Sequence, residues 1–302
     1  MKDNLKFYWE TIRKAGADWS NSNADRDAAG IAYYAIFSIP GLLIILIWVM
    51  GIIFGDTNFQ QKILQEVTKI MGEDTAKSLD GILISSMIDQ DGIIMRIIGV
   101  VTLIFGATTL FFQLQKSLNE LWGVKAAPQK AILKFLVDRA NSLGMILIIG
   151  FLMMITMILS TLIGLTNNFI SQHLGLETYY IIQIINILVG FLIVVLLFAL
   201  MFKVLPDVQL SWHSVWVGSF ITAFLFTLGK SLLSLYFSHF KPTSAFGAAG
   251  SVILIMMWIN YTCRLIFFGA VFTKVYTYRK GLKIQPSLHA EWTSDRREPS
   301  SY

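Results

Sequence analysis

Six apolar runs fix what this chain can fold into. They lie at about 31–54, 93–112, 142–165, 179–202, 214–237 and 248–272. Each has around twenty residues or more, enough for an α-helix to cross a hydrocarbon core of about 30 Å. A soluble protein of this size would need a charged surface. Here 14% of residues are charged and 55% are hydrophobic, against roughly a quarter charged in ordinary soluble chains. The expected fold class is all-α. It is a polytopic membrane helix bundle of six transmembrane helices, with a single membrane domain over 1–280 and a polar, disordered cytoplasmic tail over 281–302.

The segments between the runs set the orientation. Residues 55–92 carry Lys62, Lys69 and Lys77 against seven acids. Residues 113–141 carry Lys116, Lys125, Lys130, Lys134 and Arg139 against two acids, and six cations follow the last run. The positive-inside rule then places both termini and the 113–141 and 203–213 loops in the cytoplasm. Six crossings return the chain to its starting side, which agrees with that placement. The net charge of +5 belongs to these flanks, with no patch of the kind that binds nucleic acid.

Two amphipathic regions accompany the spans. In residues 3–20, Leu5, Trp9, Ile12, Gly16 and Trp19 recur at spacings of four and three, with Lys2, Lys6, Arg13 and Lys14 beside them. Such a helix either lies in the headgroup layer or packs on the cytoplasmic ends of the spans, and the two are compatible. The 55–92 segment reads as two short extracytoplasmic surface helices, built on Ile63, Leu64, Val67, Ile70 and Met71 and on Leu79, Ile82 and Leu83. Residues 1–28 hold five basic and five acidic residues and no apolar core. They do not resemble a cleaved signal, so the first span is expected to act as an uncleaved anchor.

Ionisable groups inside spans are the pointers to function in such a protein. Two are evident, Lys230 and Arg264, and Asn260 and Tyr261 stand close to Arg264. These four are the candidate anion-binding residues. No acid lies inside the drawn spans. The counter-group for Arg264 is then a helix-end carbonyl, one of Asp25, Asp27, Glu120 and Asp207, water, or an anionic ligand. The alternative is an Arg that snorkels to the inner surface. Lys230, toward the outer end of its span, has the same two readings. Pro40, Pro206, Gly247, Gly250 and Gly269 are structural or gating positions, as kinks or close-packing points.

Soluble catalytic motifs do not occur. His173, His213, His239 and His289 are scattered, and Cys263 is the single cysteine. Neither a metal site nor a disulfide is expected, and no cofactor.

Four stretches carry a resemblance to a known family. They are DRDAAGIAYYAIFSIPGLLIIL from Asp25, SLNELWGV from Ser117, KVLPDVQLSWHSVWVGSF from Lys203, and the pair GKSLLSLYFSHF and SAFGAAGSVILIMMWINY from Gly229. Over about 1–280 the chain resembles the YihY/virulence factor BrkB family of bacterial inner-membrane proteins, once called ribonuclease BN. The resemblance implies an inner-membrane location and an association with envelope lipids and serum resistance. Nuclease chemistry has no support in these residues. Gly269-Ala270 is followed here by Val271, where the family usually has Glu, so a carboxylate partner for an intramembrane cation is missing at that place. The expected function is a transporter or permease for an anionic substrate or envelope lipid, through a cation-lined cavity. The alternatives are a membrane scaffold for envelope assembly and, less favoured, an enzyme. Membrane lipids are the expected partners, and a homo-oligomer is compatible with the sequence.

Overall fold

The structure is a computed structural model. It describes residues 2–38, 60–61, 63–65, 68, 76–77, 79–81, 93–127, 132, 135–152, 155, 175–240 and 249–293. Seven longer helices appear in this part: α1 (Lys2–Ser20), α2 (24–38), α3 (Ile93–Trp122), α4 (Phe135–Leu152), α5 (Gly175–Val204), α6 (Trp212–Phe240) and α7 (Ala249–Arg279). Side chains near some helix ends lie outside the described set. Four stretches are long and apolar enough to cross a membrane: Phe135–Leu152, Ile187–Val204, Trp212–Leu233 and Val252–Arg279. The first expected span lies mostly outside the described residues, as do Pro40 and Gly247.

Several helices run past the expected spans, for a local reason each time. The second span was expected to end near 112, but α3 continues to Trp122. Leu114, Leu118 and Trp122 recur every fourth residue and are buried, so the helix keeps a core face beyond its apolar run. It stops at Gly123, whose φ of 75° suits glycine. The sixth span was expected to end near 272, but α7 continues to Arg279, with Val275 and Tyr276 buried. Its end is a Schellman turn. Gly281, at φ 71°, donates to Tyr278 O at 2.9 Å, and the Leu282 amide donates to Thr277 O at 3.0 Å. The third span was drawn from 142. The described helix begins at Phe135, which brings Asp138 and Arg139 inside it.

Small residues set the approach of α6 and α7. Gly218 and Thr222 of α6 face Thr273 and Gly269 of α7, so each threonine fills the notch left by the opposite glycine. A methyl group at Gly218 would overlap the Thr273 hydroxyl, and one at Gly269 would overlap that of Thr222. Both hydroxyls donate back to the preceding turn, to Gly269 O and Gly218 O respectively, each at 2.7 Å. They are therefore satisfied inside an apolar interface. Farther along, Tyr261 occupies the space beside Gly229.

The α1 helix packs on the last turns of α7. Thr11 and Ala15 are buried, and Phe7 and Trp19 pack beside them, a spacing of four. Arg279 fixes the register. It donates to Glu10 at 2.6 Å, Phe7 O at 3.1 Å and Thr11 at 3.0 Å, with its guanidinium 4.9 Å from the Phe7 ring. Of the face chosen from sequence, Trp19 packs against the core, but Trp9 is 68% exposed and Ile12 is also exposed. In the 55–92 segment the described residues are helical. Ile63 and Leu79 belong to the main core, and Gln60 donates to Asp80 at 2.8 Å.

The tail corrects an expectation. Residues 281–302 were expected to be disordered, but through 293 they form a strap. Strand β1 (Val124–Ala126) follows α3 and pairs antiparallel with β4 (Ala290–Trp292). Strand β2 (Val208–Gln209) follows α5 and pairs with β3 (Gln285–Pro286). The loops leave unpaired backbone groups that the tail satisfies, and Ile284 adds a buried side chain. One end of the bundle is thereby capped by α1 and the strap.

Candidate functional site

The capped end gathers polar residues of three of the sequence stretches singled out above, those from Asp25, Ser117 and Lys203. Asn23 precedes α2, and its carbonyl accepts from Asp27 N at 2.9 Å, the first bond of that helix. Asp25 and Asp27 then stand in the first turn, where the helix dipole favours negative charge. Asn23 donates to Glu120 at 2.7 Å, and Arg26 lies 3.9 Å from Glu120. Asn119 and Asp207 form a two-way contact. The Asn119 amide donates to the carboxylate at 2.8 Å, and its oxygen accepts from Asp207 N at 2.7 Å. Lys274, nearly buried, donates to Leu121 O at 2.9 Å and so neutralises the carbonyl end of α3.

Arg264 meets Asp25 at 3.2 Å, with the two side chains 46% and 61% exposed. This carboxylate was among the expected counter-groups. Val271 is buried against α1 with Ala15, Phe272 and Tyr276, so this position serves packing. Arg264 lies ten residues before Lys274, about 15 Å along the helix. Its long side chain spans part of that distance to the rim of the capped end.

The other candidates do not converge. Lys230 is exposed on α6 with no partner among the described residues. Asn260 is half-buried and makes no hydrogen bond among them. The Tyr261 hydroxyl sits 3.5 Å from Leu225 O, a weak contact at best. Pro206 is buried just past the end of α5, Gly269 is a packing notch, and Gly250 lies in the first turn of α7. An open cleft of about 410 Å³ occurs between the end of α7 and the strap, lined by Tyr278, Lys283, Ile284 and Trp292 among others. None of Arg264, Lys230, Asn260 and Tyr261 lines it.

Sequence reasoning missed Arg139, which it counted as a loop cation. Arg139 lies in the apolar window of α4. It donates to Thr108 at 2.6 Å, and its guanidinium lies 5.0 Å from the Phe105 ring, 5.4 Å from Phe112 and 5.3 Å from Phe135. A guanidinium in a span costs about 2.5–3.5 kcal/mol on insertion scales. Cation–π contacts contribute about 0.5–2 kcal/mol each, so three rings are on the scale of that cost. The neighbouring Asp138 points into the core, where Gln115 donates to it at 3.3 Å. The signal available in sequence was aromatic: Phe105 and Phe112 share a face, with Thr108 between them at helical spacing. Among the described residues no cluster of three His, Cys, Asp or Glu could hold a metal ion.

Long apolar helices, glycine notches between them and a polar cap at one end define a polytopic membrane helix bundle. Within that class, a profile of the Virulence factor BrkB family matches residues 17–292. The chain belongs to that family. It is similar to the UPF0761 membrane protein of Glaesserella parasuis, at 25% identity over 60% of this chain and 61% of the relative. It is similar to that of Idiomarina loihiensis, at 27% identity over 59% of the chain and 60% of the relative. A UPF0761 membrane protein of Pseudomonas aeruginosa is 23% identical over 90% of the chain and 64% of the relative. The chain thus spans about three-fifths of the length of these relatives. No solved structure matches it.

Proposed function

We propose that the protein is a permease of the bacterial inner membrane with six spans and both termini in the cytoplasm. Its substrate is an anionic amphiphile, an envelope lipid or an organic acid, which exchanges with Asp25 on Arg264. The observation that carries this reading is the openness of that pair. A cation within the apolar stretch of α7 holds a carboxylate that is more than half exposed. Exposed pairs contribute only about 0–1 kcal/mol, so an incoming anion can replace Asp25 at little cost. The pair joins α2 to α7, so its exchange would loosen the joint between those helices. Lys230, on the opposite half of the bundle, supplies a second cation along the path.

The test compares the parent with Asp25→Asn and Arg264→Ala in detergent, with co-purified lipids and anions identified by mass spectrometry. Asp25→Asn should retain more anionic lipid, and Arg264→Ala less. Equal profiles at equal thermal stability would remove the reading. One observation favours the scaffold alternative: the strap presents Leu288 at 93% exposure beside the capped end, as a docking protein would.

A further inference from the structure

The seam between α3 and α4 holds a further cation, Arg139, with no role in that scheme. Arg139 is tied to Thr108, which lies 14 residues before Trp122, the last residue of α3. That is about 21 Å of helix, so the guanidinium sits well away from the capped end. Only one of its terminal nitrogens is bonded among the described residues, to Thr108 and, at 3.5 Å, to Thr109. Its Nε is enclosed without a partner. Guanidinium groups present five donors in a planar fork that fits phosphate oxygens. The surroundings are amphiphilic: Phe105, Phe135 and Leu136 are exposed beside the cation.

We propose that this seam is a binding site for one membrane phospholipid of anionic character. The phosphodiester engages the free donors of the Arg139 guanidinium, and an acyl chain lies along Phe105, Phe135 and Leu136; the Thr109 hydroxyl already donates to Phe105 O. Charge selects the headgroup, because Arg139 makes no ion pair among the described residues and Asp138 is turned to Gln115. Exposed rings select a lipid over a free anion, since inorganic phosphate gains nothing from them. The site uses other helices than the Asp25–Arg264 pair, so either proposal survives the failure of the other.

The test is native mass spectrometry and thermal denaturation of the full chain. Phosphatidylglycerol, phosphatidylcholine and inorganic phosphate are added separately. The parent should retain phosphatidylglycerol and be stabilised by it, with a smaller effect of phosphatidylcholine and none of phosphate. Arg139→Gln removes the charge and keeps a polar side chain. It should lower the preference for phosphatidylglycerol over phosphatidylcholine by about tenfold, the scale of one charge-assisted contact. Lys116→Gln, an exposed cation of α3, should not change it. Should Arg139→Gln fail to fold, Phe135→Ala removes an exposed ring and should weaken retention of both lipids. Unchanged retention in a folded Arg139→Gln or Phe135→Ala overturns the site. Stabilisation by phosphate equal to that by phosphatidylglycerol overturns the lipid assignment.

Discussion

Single side chains decide where this bundle tolerates charge and where it tolerates bulk. Arg264 keeps an open ion pair with Asp25, whereas Arg139 is held by rings and a threonine hydroxyl. Their environments predict different responses. A double-mutant cycle of Asp25→Ala and Arg264→Ala should give a coupling below about 1 kcal/mol, read from thermal midpoints, because both groups are substantially solvated. A larger value would mean that the pair is enclosed. Bulk is restricted at Gly229, where a methyl group would overlap the Tyr261 ring. Gly229→Ala should lower the thermal midpoint by on the order of 5 °C, from an overpacking cost of about 1–3 kcal/mol. Adding Tyr261→Leu should restore part of the loss. If the double variant is no better than Gly229→Ala, the two residues do not touch.

At the scale of elements, helix ends and the strap carry the specificity. Asn119 bonds both the backbone and the carboxylate of residue 207, so it fixes the turn after α5 to the end of α3. Asn119→Asp should destabilise more than Asn119→Ala, because it sets two carboxylates against each other. Lowering the pH should narrow the difference, since protonating either acid removes the repulsion. Equal stabilities at neutral pH would contradict the contact. The strap depends on Gly281, whose positive φ strains any β-branched residue. Gly281→Val should free the tail and raise the rate of tryptic cleavage after Lys283, which is already exposed. An unchanged rate would mean that the strap is anchored without the turn. The positions of long helices were readable from apolar runs. Their ends were not, because α3 and α7 continue on faces that meet protein, and hydropathy does not distinguish that from a loop.

For the whole molecule, the capped end gathers Lys125, Lys203, Lys274, Arg279 and Lys280 on one side. The positive-inside rule predicts that this side faces the cytoplasm, as the proposed topology requires. Cys263 is buried, so a cysteine introduced elsewhere gives a clean signal. In intact cells an impermeant maleimide should label Ser85→Cys and leave Gln129→Cys unreacted. Labelling of Gln129→Cys from outside would invert the topology.

The sequence alone determined that the chain is a membrane helix bundle, because runs of twenty apolar residues have no other economical solvent. It also singled out Arg264 and named Asp25 as one of four acids that could meet it, since a cation in such a run demands a counter-group; the tertiary structure selected Asp25. The tertiary structure decided which face of α1 is buried, that the tail is a strap, and that Arg139 belongs to a span. Each of these depends on what lies opposite. A short strand takes shape only when a loop offers unsatisfied backbone groups, and Arg139 is held in apolar surroundings by rings of α3 and of its own helix that only the fold brings together.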